Sequence, residues 1–192
     1  MKNFRKKGLG KETRLLVEGI TASGIQERSI LEIGCGVGGL HLTLLQEGAS
    51  NATGVDIAQG MLEGARALSR EMGMEARTEY FLGDFVRMNG NVGDADITIL
   101  DRVVCCYEDV NSLVDKSLAK TRHTYAFSFP KPNIFVQLLV SIPITLAKLL
   151  RWKFHPYWHD WEGLVRRVES AGFRQRYHKS TILWDVRVLT RI

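Results

Sequence analysis

A short glycine-rich turn behind a buried strand constrains the fold of this chain more than any other feature. Residues 29–33 are apolar and β-branched in character, as in a strand that is covered on both faces. The turn occupies residues 34–39, and residues 40–46 then take helical spacing. Glycine permits a tight turn and lets a ligand approach where a Cβ atom would collide, while the N–H groups that open the helix can bind a polar or anionic group. The pattern predicts a nucleotide- or cofactor-binding turn.

The glycine spacing alone does not select the ligand, because it fits both G-x-G-x-x-G and the tighter G-x-G-x-G. Two acids discriminate between ligands. Glu32 places a carboxylate at the strand end, where it would repel a pyrophosphate and attract an amino group. Asp56 ends a second predicted strand about 20 residues past the turn, where an acid can bind both ribose hydroxyls. This combination fits S-adenosylmethionine better than NAD.

Five motifs, taken in order, resemble those of the class I (Rossmann-like) S-adenosylmethionine-dependent methyltransferases, of the small-molecule type. Residues 32–38, E-I-G-C-G-V-G, resemble the E/D-x-G-x-G-x-G loop of that family, and residues 54–57, G-V-D-I, resemble its G-x-D-[IL] second strand. Residues 83–85 resemble the acid that follows the third strand, and residues 96–104 occupy the fourth-strand position. Residues 171–173, A-G-F, resemble the motif before the last two strands. The resemblance implies S-adenosylmethionine as cofactor and S-adenosylhomocysteine as product.

The resemblance also implies a role for each residue of the cofactor site. Glu32 is expected to support the positively charged amino-acid end of the cofactor, and Asp56 to accept hydrogen bonds from the ribose hydroxyls. Ile57 and Phe85 are expected to enclose the adenine, and Asp84 to accept its exocyclic amine. The predicted cofactor-contacting residues are Glu32, Gly34, Cys35, Gly36, Gly38, Asp56, Ile57, Asp84, Phe85 and Asp101.

The catalytic residue stays open at the level of sequence. A base is needed only if the acceptor must lose a proton during attack. Three residues, Asp101, Tyr107 and His159, lie where the acceptor side is expected, and none has a local motif behind it. A metal site at His155 and His159 is not expected, because Pro156 disrupts the helical i, i+4 arrangement.

The resemblance implies an α/β fold with a doubly wound, mostly parallel seven-stranded sheet, helices on both faces and a C-terminal antiparallel hairpin. Residues 173–179 and 182–189 read as strands with too little chain between them for a crossover helix, which predicts that hairpin. A dehydrogenase sheet would instead continue through a parallel crossover into a substrate domain. The predicted helices are 13–22, 40–46, 59–72, 110–118 and 161–171, and the other predicted strands are 29–33, 52–56, 76–82, 96–100 and 124–129.

Length and composition predict a single domain over residues 1–192, with an N-terminal arm and helix in 1–28, and the resemblance implies that it is a methyltransferase domain. The chain has 192 residues, of which 45% are hydrophobic and 24% charged, as in globular proteins. Its three cysteines form neither an even disulfide set nor a C-x-x-C metal pair. We therefore expect Cys35, Cys105 and Cys106 to be small buried residues of a reduced, cytoplasmic protein.

An apolar segment after the fifth predicted strand is the other unusual feature. Residues 134–150 are nearly all apolar and are followed by Arg-Trp-Lys-Phe at 151–154, and the stretch is shorter than the about 20 residues that span a membrane. We predict an insert or lid at 133–160. Three interpretations of 134–154 remain open: a lid over an apolar acceptor, a helix lying on a membrane surface, or a homodimer face. In the resemblance, tetrapyrrole O-methyltransferases carry a comparably apolar insert.

The expected acceptor is a small, apolar or aromatic molecule. Residues 101–104, D-R-V-V, stand where nucleic-acid amino-methylating enzymes carry [DN]-P-P-[YF], and a dense basic stripe is absent from the sequence. A nucleic-acid methyltransferase is therefore disfavoured. A noncatalytic or peripheral-membrane protein that retains the cofactor-binding fold is the alternative function.

Overall fold

Seven strands form a single mixed sheet in the computed structural model, which describes residues 8–88, 91–131 and 157–192. The strand order is β3-β2-β1-β4-β5-β7-β6. The strands are β1 Ser29–Ile33, β2 Asn51–Asp56, β3 Thr78–Leu82, β4 Ala95–Asp101, β5 Thr121–Pro130, β6 Phe173–Ser180 and β7 Trp184–Arg191. The α-helices of the described residues are α1 Lys11–Ala22, α2 Gly39–Gln46, α3 Gln59–Glu71, α4 Val110–Ala119 and α5 Trp161–Ser170.

The sheet topology confirms the fold class. The five strands β3, β2, β1, β4 and β5 are parallel to their neighbours, and β7 is antiparallel to both β5 and β6. From β1 the chain moves outward through β2 to β3 and then returns to place β4 on the other side of β1. Ligands of open α/β sheets bind outside the carboxyl ends of the strands at such a reversal. Both Glu32 and the glycine turn lie there.

Helices cover both faces of the sheet because alternate strand residues point to opposite sides. On one face Ile30, Ile97, Ala126 and Val188 pack with apolar residues of α1, α2 and α3. On the other, Leu31, Leu100, Tyr125 and Phe127 pack with apolar residues of α4 and α5. The helices on this second face begin at carboxylate caps, since Asp109 accepts from the Ser112 N–H at 3.1 Å and Asp160 from the Gly163 N–H at 2.9 Å.

The third strand begins two residues later than the sequence predicted. Residues Glu75–Arg77 form a 3₁₀ turn, so β3 starts at Thr78 rather than at residue 76. The guanidinium of Arg77 donates to the carbonyl of Ser50 at 2.9 Å and also to that of Ala49. These bonds hold Arg77 against the connection between α2 and β2, which is a tertiary contact that β-propensity does not register.

The C-terminal hairpin is present, but its second strand is displaced from the predicted range. Ile182 was expected to begin that strand, and it lies instead in the turn with 87% of its surface exposed. The Thr181 N–H donates to the carbonyl of Trp184 at 2.8 Å, and the Trp184 N–H donates to Thr181 Oγ1 at 3.0 Å. This local pairing fixes the reversal before Trp184 and leaves Ile182 unpaired. Strand β5, which pairs with β7, runs longer than predicted, from Thr121 to Pro130.

The expectations for the first residues and for the apolar segment fall mostly outside the described residues. Residues 1–7 and 132–156 belong to that part of the chain, so the interpretations of 134–154 stay predictions. In the described part of the chain, no helix combines the length and the apolar character that crossing a membrane requires.

We predict that Gly19→Ala destabilises the fold, because α1 packs on the hairpin at this glycine. A Cβ atom there would lie 2.6 Å from Tyr177 Cδ1 and 2.8 Å from Val188 Cγ2. Overpacking of this kind should lower the free energy of unfolding by about 1–3 kcal/mol, measured by urea titration. Gly60→Ala in α3 is the matched control, because no atom lies within 4 Å of its Cβ position and alanine favours the helix. Equal effects of the two substitutions would contradict the close packing of α1.

Candidate functional site

Two adjoining cavities lie at the carboxyl ends of β1, β2 and β4. The first, the Asp56 cavity, has a volume of about 240 Å³, and the second, the Glu32 cavity, has a volume of about 500 Å³. Gly34 and Arg102 line both cavities. Further lining residues are Ile57, Asp84, Phe85, Cys106 and Tyr107 in the Asp56 cavity, and Thr13, Cys35, Gly36 and Asp101 in the Glu32 cavity. The structure thus brings most of the predicted cofactor residues to one cleft.

The glycine turn lies between these two cavities, and Gly34 forms part of the wall of both. Gly34 has a φ of 69°, and a Cβ atom on it would overlap the side chain of Val103. Gly36 has a φ of 55° with open space around its Cβ position, so its requirement for glycine is conformational. The turn therefore needs glycine for two different reasons, close packing at Gly34 and a left-handed backbone at Gly36.

Asp56 ties the glycine turn to the start of α3. Its Oδ2 accepts from the Gly36 N–H at 2.8 Å, and its Oδ1 accepts from the Ala58 N–H at 2.8 Å. A carboxylate oxygen has more than one acceptor position, so both oxygens retain capacity for hydroxyl donors from the cavity. The predicted ribose contact stays a prediction, and the geometry is compatible with it.

The residues predicted to enclose an adenine line the Asp56 cavity. Ile57 is 71% exposed, which is unusual for isoleucine, and Phe85 is half-buried. Asp84 caps the 3₁₀ turn Phe85–Arg87 by accepting from the Val86 N–H at 3.0 Å. Its carboxylate also accepts from the Tyr107 hydroxyl, at 2.9 Å on one oxygen. Asp84 is therefore both a capping residue and a wall of the cavity.

The geometry does not favour Tyr107 or His159 as a general base. Burial and the Asp84 carboxylate raise the pKa of Tyr107 to about 12, so its hydroxyl stays protonated and donates to Asp84. His159 Nε2 lies 3.0 Å from the carbonyl oxygen of Tyr107 and donates to it. Burial lowers the pKa of His159, and its ring packs edge-on against Trp161 at 5.4 Å. In the described part of the chain His159 lines neither cavity.

Asp101 is held by two hydroxyl groups. Its Oδ2 accepts from Thr13 Oγ1 at 2.7 Å and its Oδ1 accepts from Ser128 Oγ at 2.6 Å. The donor from α1 and the donor from β5 fix the carboxylate on the wall of the Glu32 cavity. Asp101 thus presents a fixed negative charge to this cavity.

A buried chain of polar groups supports Glu32, and no local sequence pattern predicts it. The Glu32 side chain is 5% exposed and its Oε2 lies 2.6 Å from Nδ1 of the fully buried His41. His41 Nε2 lies 3.0 Å from the Tyr80 hydroxyl. Burial raises the pKa of Glu32, and the hydrogen bond and charge of His41 oppose that shift. The sequence predicts only that His41 lies in the helix 40–46, since a lone histidine in an apolar helix has no local signature.

Arg102 is the second functional candidate that sequence reasoning missed. It has a φ of 59°, a left-handed conformation that is rare for a residue other than glycine. Its guanidinium pairs with Glu12 of α1 at 3.2 Å and approaches Asp101 at 3.5 Å. A residue held in strained backbone at the junction of two cavities is a candidate for function.

The three cysteines are free thiols in the described residues. Cys35 and Cys105 are buried, as predicted, whereas Cys106 is only partly buried and lines the Asp56 cavity. The prediction of burial is therefore wrong for Cys106. The cause is the 3₁₀ turn Val104–Cys106, which buries the first two of its side chains and leaves the third at the cleft. Within the described ranges, no group of three or more metal-binding side chains is present, and His155 lies outside them.

The chain is similar to a known protein family and to solved structures. Residues 30–123 match the family described as "Methyltransferase domain". Magnesium protoporphyrin IX methyltransferase from Synechocystis PCC 6803, solved with bound SAH, has the same fold with a TM-score of 0.73 at 20% identity, over 93% of this chain and 81% of that one. The domain match and the shared fold confirm the resemblance to class I S-adenosylmethionine-dependent methyltransferases.

Two curated relatives match shorter stretches. Rice 24-methylenesterol C-methyltransferase 2 (Oryza sativa subsp. japonica) is 36% identical over 59 residues, which is 31% of this chain and 16% of that protein. Ribosomal protein L11 methyltransferase from Haemophilus influenzae (strain PittEE) is 31% identical over 72 residues, which is 38% of this chain and 24% of that protein. The chain spans a quarter or less of the length of these relatives.

We predict that Asp56→Ala weakens the binding of S-adenosylhomocysteine about 10- to 100-fold, because it removes charged hydrogen bonds worth about 1.5–3 kcal/mol. Isothermal titration calorimetry measures the change. Asp94→Ala is the control, since Asp94 pairs with Lys120 on the surface away from both cavities. Unchanged affinity in Asp56→Ala would remove Asp56 from the site.

We predict that Tyr107→Phe leaves the pH dependence of methyl transfer unchanged, because the hydroxyl is protonated across the neutral range. The same substitution should weaken S-adenosylhomocysteine binding about 2- to 10-fold, since Asp84 loses a neutral donor that orients it. Rates measured over a series of pH values test the first part and calorimetry the second. A limb of the pH–rate profile that disappears in the variant would identify Tyr107 as a catalytic base.

Proposed function

We propose that this chain binds S-adenosylmethionine across the two cavities and transfers its methyl group to a small, apolar or aromatic acceptor. The observation that carries the proposal is the meeting of Asp56, the glycine turn and Glu32 along one continuous cleft. Each of them belongs to a motif that resembles the family, and the fold brings all of them to the reversal point of the sheet.

The two cavities differ in the chemistry that they offer. The Asp56 cavity combines a diol acceptor with apolar walls at Ile57 and Phe85, which suits an adenosine. The Glu32 cavity carries the carboxylates of Glu32 and Asp101, which suit a cationic amino group. A ligand with an adenosine at one end and an amino acid at the other would use both cavities at once.

The role of the protein in this reaction is to orient the methyl donor and the acceptor. When bound, the cofactor supplies a methyl group that is already activated on a sulfonium. The glycine turn, Asp56 and Asp84 fix the position of the donor, and an acceptor held in line at about 3 Å gains much of its rate from proximity. The Tyr107 hydroxyl stays protonated and donates to Asp84, and in the described part of the chain His159 lines neither cavity, so neither residue is placed to take a proton from an acceptor in the cleft. We infer catalysis by positioning, in which Asp101 contributes a fixed negative charge.

An apolar or aromatic acceptor is supported by part of the lining of the Asp56 cavity and by two of the similar proteins. Val103, Cys106 and Leu113 give the Asp56 cavity an apolar wall beyond the predicted adenine contacts. The names of the Synechocystis and rice proteins refer to a porphyrin and a sterol, both of which are small molecules with apolar ring systems. The name of the Haemophilus protein refers to a ribosomal protein, so the acceptor class needs a direct test.

Transfer of a labelled methyl group to a panel of acceptors tests the proposal. The panel should contain porphyrin carboxylates, sterols and phenols as apolar acceptors, with a ribosomal protein and an oligonucleotide as members of other classes. We expect product with an apolar or aromatic member, and loss of product in Asp56→Ala at limiting cofactor.

Each part of the proposal has its own contradicting outcome. Binding of NAD in preference to S-adenosylhomocysteine would reject the cofactor. Tight cofactor binding without turnover of any acceptor would support the alternative, a noncatalytic protein that retains the fold. Turnover confined to the protein or the oligonucleotide would reject the acceptor class and keep the methyltransferase.

A further inference from the structure

Arg102 carries the one side-chain cation among the described residues that line the Glu32 cavity. The cavity also contains the carboxylates of Glu32 and Asp101, and Glu12 reaches Arg102 from α1. The site therefore presents two carboxyl groups on the sheet side and one guanidinium at its junction with the Asp56 cavity. This distribution complements a zwitterion better than it complements a simple cation.

The backbone of Arg102 is fixed by its neighbours rather than by its side chain. Its N–H donates to Ser128 Oγ at 2.9 Å, and its carbonyl accepts from the Cys105 thiol at 3.6 Å. Ser128 also donates to Asp101, so one hydroxyl connects the two consecutive residues. The left-handed conformation of Arg102 is thus held by β5 and by the following turn. The guanidinium is not needed for this and can contact a ligand in the cleft.

The guanidinium has donors to spare for a ligand. Arginine has five N–H donors in a planar fork that matches a carboxylate. Arg102 donates to Glu12 Oε1 at 3.2 Å, its Nη2 lies 3.5 Å from Asp101 Oδ2, and its side chain is 47% exposed. A second carboxylate can approach from the cavity side, either beside Glu12 or in its place.

We propose that Arg102 binds the carboxylate of the amino-acid part of the cofactor, while Glu32 and Asp101 face its ammonium group. The proposal rests on the proposed function, because it assigns one further contact to the same ligand. Arg102 then decides whether the site distinguishes an intact amino acid from a simple amine. Glu12 is its competitor, since it holds the guanidinium until a ligand carboxylate arrives.

Calorimetry with three ligands tests Arg102 without any turnover. The ligands are S-adenosylhomocysteine, its decarboxylated analogue and 5′-methylthioadenosine, which lacks both the amino and the carboxyl group. The wild-type protein should bind S-adenosylhomocysteine about 10- to 100-fold more tightly than the decarboxylated analogue. In Arg102→Met that preference should vanish. Affinity for 5′-methylthioadenosine should change less than about twofold, and affinity for the decarboxylated analogue should not fall, because neither ligand carries the carboxylate and the ammonium of the analogue gains from the loss of a cation beside Asp101.

Two further variants sharpen the measurement. Arg87→Met is the matched control, because Arg87 is an exposed arginine that pairs with Asp84 beside the same cleft. It should keep the wild-type preference for the carboxylate-bearing ligand. Glu12→Gln should keep or increase that preference, since it removes the competing charge.

The results that overturn the proposal differ from those that overturn the proposed function. An equal loss of affinity for all three ligands in Arg102→Met would show a merely structural role for Arg102. An unchanged preference in Arg102→Met, with or without an altered KM for a carboxylate-bearing acceptor, would remove the cofactor carboxylate from Arg102. Failure of the wild-type protein to bind any of the three ligands would reject the proposed function itself.

Discussion

The hydrogen bond from the Gly36 N–H to Asp56 is the contact on which the site depends. It joins the turn after β1 to the end of β2 at 2.8 Å, and the other oxygen of Asp56 holds the start of α3. The turn can approach this closely because Gly36 adopts a left-handed backbone. Both cavities share a wall in the same turn, so their relative position follows from this one arrangement.

A second layer of polar groups stabilises the acids of the cleft from behind. His41 holds Glu32, and the hydroxyls of Thr13 and Ser128 hold Asp101. A buried carboxylate without such donors would be costly to keep charged. The negative character of the Glu32 cavity is therefore a property of α1, α2 and β5 as much as of the two acids.

The sequence predicted the order of elements well because strand hydrophobicity, glycine turns and helix caps are local signals. Strand β1 has the predicted boundaries, and the antiparallel hairpin followed from the short connection before Trp184. The start of β3 was predicted wrongly because a tertiary contact of Arg77 decided it. The burial of Cys106 was predicted wrongly because the 3₁₀ turn Val104–Cys106 leaves this side chain only partly buried. The roles of His41 and Arg102 lay beyond local signals altogether, because their partners Tyr80 and Glu12 are distant in sequence.

The attachment of α1 to the end of β4 makes formation of the Glu32 cavity depend on a contact between distant parts of the chain. Thr13 and Asp101 are separated by 88 positions, so their hydrogen bond closes a long loop. The Glu32 cavity is complete only after the first helix has docked on a sheet whose fourth strand is made much later. A ligand that binds there binds only the state in which the N-terminal helix is docked on the central strands. Its binding therefore stabilises the folded state of both segments together.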